Sequence, residues 1–199
     1  MSTRAVQTRR RILQAARRLL EEHGYHGVGL GAVAAAAGVS RQAIYLHFGS
    51  KGKLLQAVAA YVDEVEGLSE LAEAVERAPS GPAALDRFVE LVASLTPRVH
   101  RTAAVLEAAR LDAPDAAAAW RDRMDSRRRR CGRIVARLAE EQRLAEGWTI
   151  DEAADFLWAA SGLRVWEDLV VVRGWSSERF RRHLGHVLRQ ALLDPADAA

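Results

Sequence analysis

Between residues 31 and 48 two short helix-forming runs are separated by only Gly38, Val39 and Ser40, and no other feature constrains the fold as tightly. The first run, Gly31 to Ala37, is alanine-rich and stops at Gly38. Ser40 is a favourable N-cap for the second, Arg41 to about Phe48. So tight a joint between two helices predicts a helix-turn-helix. The flanks are punctuated in the same way. Residues 8–22 place Ile12, Leu13, Ala16, Leu19 and Leu20 on one stripe, and Gly24 is expected to end that helix. After Gly49, Ser50 caps a further helix with Leu54, Val58, Tyr61, Val62 and Val65 on one face. Residues 6–66 thus read as a domain with a three-helix core and a connecting helix, its border near Gly67.

Residues 67–199 read as a larger helical domain. Strand signals are scarce, because β-branched residues rarely alternate with polar ones. The stretch "ERAPSGPAA", residues 76–84, reads as a loop. Periodicity predicts five helices beyond it, about Pro82–Thr96, Arg98–Leu111, Ala113–Leu144, Asp151–Arg173 and Ser177–Leu193. Thr149 and Glu152 form a capping box for the fourth, and Gly174 with Ser176 or Ser177 separates it from the fifth. The tail "DPADAA" is expected to fray. The fold class is all-α, and no internal repeat is visible.

Charge divides the chain unevenly. Residues 1–53 carry nine basic side chains against Glu21 and Glu22, for a net +7, whereas the remaining 146 residues are net −4. The only two lysines, Lys51 and Lys53, both fall in the basic part. A basic front on a mildly acidic body points to a polyanion as partner of the front alone. The apolar share of 49% is ample for a core. No apolar run reaches the ~18 residues of a membrane span, and no apolar segment follows the basic N-terminus as in a signal peptide. The single cysteine, Cys131, rules out an internal disulfide and suits a reducing compartment. The cytoplasm is therefore expected.

The helix from Arg41 shows what the front is built to touch. Ile44 and Phe48 share one face and, with Val39, can enter the core; Arg41, Gln42 and Tyr45 stand outward. Arginine can donate twice to guanine O6 and N7, and glutamine can pair with adenine N6 and N7. Tyr45 and His47 suit phosphates or sugars, while Lys51 and Lys53 start a helix whose N-terminus itself favours phosphate. The residues Gly24-Tyr25, Val33-Ala34, Ala37-Gly38-Val39-Ser40, Tyr45, His47-Phe48 and Ser50-Lys51 together resemble the DNA-binding domain of the TetR (tetracycline-repressor) family. The resemblance is clear over roughly residues 8–66 and implies a transcription regulator, most often a repressor, on a double-stranded operator. It assigns to DNA the set Gly29, Arg41, Gln42, Ala43, Tyr45, His47 and Lys51. Three positions depart from the family pattern. Gly29 stands where Thr or Ser is common, Gln42 where Gly is common, and Gly52-Lys53 where acidic residues are common.

The family resemblance further implies that the C-terminal half binds a small-molecule effector and forms a homodimer through its last two helices. Residues 156–172 are apolar nearly all round, and Phe180, Leu184, Val187, Leu188 and Ala191 form a stripe on the last helix, with small Ala159, Ala160, Gly162 and Gly185 permitting close approach. These could serve the dimer or an internal core. Trp120, Met124, Cys131, Val135 and Leu138 follow helical spacing, with Arg127 or Arg128 at the gap in the stripe. One pocket reading is lined by Trp120, Met124, Cys131, Phe156, Trp158 and Trp166, with Arg127 or Arg128 facing a polar or acidic effector. The plainer reading pairs the arginine with Glu107 or Asp155, or leaves it reaching to solvent. Cys131 reads as core, and His183 and His186 as surface or interface residues. No catalytic set, metal cluster or cofactor loop stands out, so no enzyme activity or cofactor is expected. The competing class is a carrier or enzyme with an incidental helix-turn-helix; a third reading is architectural DNA binding.

Overall fold

The computed structural model describes residues 3–194; the tail read as frayed lies beyond them except for Asp194. Ten α-helices follow one another, α1 Thr3–Gly27, α2 Leu30–Ala37, α3 Arg41–Phe48, α4 Lys51–Val65, α5 Leu68–Glu76, α6 Gly81–Ala109, α7 Pro114–Glu140, α8 Ile150–Ala160, α9 Leu163–Trp166 and α10 Ser177–Leu192. A π-helical stretch, Glu167–Val172, continues α9. Among the described residues there is no strand, only an isolated antiparallel bridge between Leu144 and Leu193. Among the described residues no helix is long and apolar enough to cross a membrane.

The chain forms two compact units. The first comprises residues up to Glu66 together with Val99–Arg123; the second comprises Gly67–Arg98 and the residues from Met124 on. Helices α6 and α7 therefore contribute to both. In the first unit, the apolar stripe of α1 packs on α2 and α4. Ile12, Leu13, Ala16 and Leu20 are buried there with Val33, Ile44, Phe48, Leu54, Leu55, Val58 and Val62. The sequence stripe of α4 shifts slightly, because Val65 is exposed and Leu55 takes an inward place. Gly24 adopts φ 69° and ψ 177°, so α1 is broken where a stop was expected, and one further turn runs to Gly27.

The core of the second unit contains Leu85, Phe88, Cys131, Ile134, Leu138, Leu157, Trp166, Phe180, Leu184 and Leu188. Val187, expected in the same stripe, is exposed. Trp148 closes one end: its indole donates to the Ala191 carbonyl at 2.7 Å and its ring lies 5.3 Å from that of Phe156. The capping box forms as expected, with Thr149 N–H donating to Glu152 at 3.1 Å and Glu152 N–H donating back to Thr149 Oγ1 at 3.3 Å.

Several helix boundaries differ from the sequence reading; the helix expected over Ala113–Leu144, for one, ends at Glu140. The pair expected to meet at Pro97 is one helix, α6, with Pro97 inside it. Leu91, Ala93 and Leu95 before the proline and Val99 and Ala103 after it are all buried, and that packing outweighs the lost backbone donor. The helix expected over residues 151–173 is instead interrupted at Ser161-Gly162. Ser161 Oγ turns back to donate to the Leu157 carbonyl at 2.6 Å, and glycine adds little helix propensity. Finally, residues 68–76 form a helix of their own, α5, which the sequence reading did not name.

Two outcomes test this packing. Gly38 sits at φ 64° and ψ 40°, a conformation that costs other L-residues roughly 1–2 kcal/mol. Gly38→Ala should lower the urea midpoint accordingly, with an unchanged slope, in a far-UV circular dichroism titration. Cys131 is fully buried and burial pushes its thiol up to about 11. A thiol reagent at mildly alkaline pH should leave the folded chain unlabelled and react once guanidinium unfolds it.

Candidate nucleic-acid interface

The turn between α2 and α3 satisfies its own backbone. Gly38 N–H donates to the Ala35 carbonyl at 3.2 Å and Val39 N–H to the Ala34 carbonyl at 3.0 Å, the paired bonds of a Schellman ending. Two residues on, Ser40 Oγ accepts from Ala43 N–H at 3.1 Å and opens α3. At the other end of the unit, Gly29 caps α2 with its main chain alone, its carbonyl accepting from Ala32 and Val33.

Burial then sorts the side chains of α3. Ile44 and Phe48 are in the core, Ala43 and His47 are half-buried, and Arg41, Gln42, Tyr45 and Leu46 are exposed. The exposed four form two rows at helical spacing, Arg41 with Tyr45 and Gln42 with Leu46. Arg41 Nη2 donates to Tyr45 Oη at 3.2 Å and its guanidinium lies 5.6 Å from the ring centre. Leu46 is 82% exposed, a large apolar side chain held out into solvent. The sequence reading missed it, although its place four residues after Gln42 puts it on the outward face.

Both ends of α3 are tied down. At its C-terminus Arg9, from α1, donates to the His47 carbonyl at 3.3 Å and lies 4.5 Å over the Phe48 ring. A cation on the last carbonyls also suits the helix dipole. Beyond Gly49, Ser50 Oγ accepts from Lys53 N–H at 3.0 Å and opens α4. Lys51 stacks 4.2 Å over the Tyr25 ring, where burial holds its ammonium below the usual lysine range. Burial, and then the charge of Asp115, pushes the Tyr25 phenol up. Arg9 and Asp115 carried no local sequence signal, since each acts on residues more than 35 positions away.

Not every basic residue of the front faces outward. Arg17 bonds Glu21 at 3.1 Å and Glu66 at 2.9 Å, and Glu21 also accepts from Thr102. Arg4, Arg10, Arg11, Arg18, Arg41 and Lys53 are exposed.

The residues considered for an effector divide between the units. Trp120 belongs to the first; Met124, Arg127, Arg128, Cys131, Phe156, Trp158 and Trp166 belong to the second. Cys131 and Trp166 are buried, the other six half-buried. Arg127 is the arginine turned inward. It donates to the Trp158 carbonyl and to Ser161 Oγ, and its guanidinium lies 5.5 Å from the Trp158 ring centre. Arg128 pairs with Asp155 and Asp151 at the surface, as the plainer reading allowed. The Trp158 Nε1 atom is buried with no hydrogen-bond partner among the described residues. His183 and His186 are exposed, and the His183 ring lies 5.3 Å from Trp175.

Residues 12–58 match the family described as bacterial regulatory proteins, tetR family. The chain is 36% identical over 96 residues to the HTH-type transcriptional regulator UidR of Escherichia coli K12, covering 48% of this chain and 46% of that relative. It is 48% identical over 54 residues to the HTH-type transcriptional repressor AcnR of Corynebacterium efficiens, covering 27% of this chain and 29% of AcnR. These matches thus span at most about half of the relatives' length. A crystal structure of a transcriptional regulator from Saccharomonospora viridis in complex with choline superposes with a TM-score of 0.78 at 23% identity. That likeness, over 95% of this chain and 99% of the other, is one of fold. Residues 12–58 thus carry the domain of the tetR family of bacterial regulatory proteins, within an all-helical chain of two units.

Proposed function

We propose that the chain is a DNA-binding transcription regulator, a repressor that grips a palindromic operator as a homodimer and is released by a small-molecule effector. The observation that carries the reading is α3 itself. A short helix with one face in the core and capped ends holds Arg41, Gln42, Tyr45 and Leu46 outward with no acidic residue among them. In the major groove such a face has a donor fork, an amide and an apolar tip, which suit guanine, adenine and the thymine methyl. Arg41, Gln42 and Leu46 are the base readers in this reading. Gly29, Ala43, Tyr45, His47 and Lys51 position the backbone. Residues 6–66 are the DNA-binding domain, and residues 67–199 take the effector and the partner.

The helical elements at the C-terminal end support the dimer. Val171, Val172 and Val187 are exposed there, and apolar side chains so placed favour a covering surface. A twofold dimer matches a palindromic operator. For the effector, the unpartnered Trp158 indole beside Arg127 supports a ligand that offers hydrogen-bond acceptors. Differential binding to the two states would then draw the population away from the DNA-bound one. Such a regulator acts in the cytoplasm, where its operator lies.

Fluorescence anisotropy at fixed salt tests the reading, comparing the upstream intergenic DNA of the chain's own gene with a scrambled duplex. A preference of ~10³ or more is expected; equal affinity for both would defeat it. Arg41→Ala should lose ~1–3 kcal/mol on the operator and relax the preference at one base position. Lys51→Ala should instead weaken all duplexes alike and reduce the salt slope by about 1. Equal losses on operator and scrambled DNA from both substitutions would refute that division of roles.

A further inference from the structure

Helix α4 has no acidic residue in its first turn, although its N-terminal end follows directly on the turn that closes α3. Its second residue, Gly52, is buried, and the space beside it is filled from elsewhere in the chain. A Cβ built on Gly52 would lie 2.5 Å from Asp115 Cβ and 3.0 Å from Asp115 Oδ2. Real side chains do not approach so closely, so Asp115 fits only because residue 52 is glycine. The carboxylate uses that space to accept a hydrogen bond from Ser50 Oγ at 2.6 Å. Ser50 Oγ in turn accepts from Lys53 N–H, so its hydroxyl joins the α4 backbone to Asp115. Asp115 is itself in the first turn of α7. Its charge thus stands at two helix N-termini at once, a favourable place for an anion. A second tie lies three residues earlier, where His26 Nε2 is 3.1 Å from Asp112 Oδ2.

We propose that Asp115 is a positioning residue for DNA reading. It holds the N-terminus of α4 through Ser50, and with it the Gly49-Ser50 turn, Lys51 and the end of α3. The inference rests on the DNA-reading role of α3 and adds to it a residue 65 positions from Ser50. It also gives Gly52 a structural reason, since the space a side chain would fill holds the Asp115 carboxylate. The anion for this helix end comes from the first turn of α7, so the helix end ties α4 to α7 within the first unit.

Two variants test it by anisotropy and thermal melting, on the upstream duplex preferred by the unaltered chain and on its scrambled counterpart. Asp115→Ala removes the carboxylate but leaves the Cβ contact. It should weaken operator binding ~10-fold and lower the ratio of operator to scrambled affinity. The double variant Gly52→Asp/Asp115→Gly moves the acid onto α4 itself. It should restore the melting temperature but not the operator affinity, since the link to α7 stays broken. Unchanged operator affinity in Asp115→Ala would overturn the proposal, as would equal losses on both duplexes or a recovery of affinity in the double variant. If the unaltered chain shows no operator preference, the DNA-reading function falls and this inference with it; preference kept intact by every variant removes this inference alone.

Discussion

An eight-residue helix has no stability of its own in water, so α3 exists because the fold holds it. Ile44 and Phe48 supply the hold. Each is nearly fully buried, and such burial is worth about 1.5–3 kcal/mol per side chain. That anchor settles which side of α3 faces inward, and the period of the helix then determines the other side. Arg41, Gln42, Tyr45 and Leu46 face outward as a consequence of where Ile44 and Phe48 are placed. The remaining contacts act on direction more than on stability. The Schellman bonds at Gly38 set the angle at which the chain enters, and Arg9 on the His47 carbonyl sets where it leaves.

Charge illustrates how far a count can mislead about a surface. The front of the chain is net +7, yet several of its nine cations are engaged with other side chains. Arg9 lies over Phe48, Lys51 lies over Tyr25, and Arg17 is divided between Glu21 and Glu66. Arginine does this readily, since a flat, weakly hydrated guanidinium can stack on a ring while still donating. The face offered to a polyanion is therefore more ordered than the count alone implies. Its outward cations sit on a scaffold partly built from the inward ones.

Features that depend on near neighbours were legible in the sequence. Ser40, Ser50 and the Thr149–Glu152 box each bond a backbone amide three residues away, so residue type and spacing specify them together. The faces of α3 were legible for the same reason, with Leu46 overlooked though its position was implied. Pro97 shows the opposite case. Its local preference for a break is real, but the buried residues on both sides prevail, and their partners are remote in sequence. Asp115 was illegible on the same ground. Gly52 looked like a lost acid on the DNA side, and only the fold reveals that the missing side chain makes room for a carboxylate.

The interruption after α8 follows a related logic. Ending a helix at Ala160 leaves carbonyls without intrahelical donors, and half-buried surroundings make that costly. Arg127 meets the need by donating to the Trp158 carbonyl and to Ser161, whose own hydroxyl bonds the Leu157 carbonyl. An arginine that seemed to call for a ligand's negative charge is thus held by the negative end of a helix. Any effector that binds beside Arg127 competes with, or adds to, bonds already made. Its leverage on the chain would come from how far it changes those bonds, not from neutralising a bare cation. The aromatic residues beside the break follow from this arrangement: Trp158 lies under the guanidinium, and Trp166 is buried at the end of α9, just before the π-helical stretch begins.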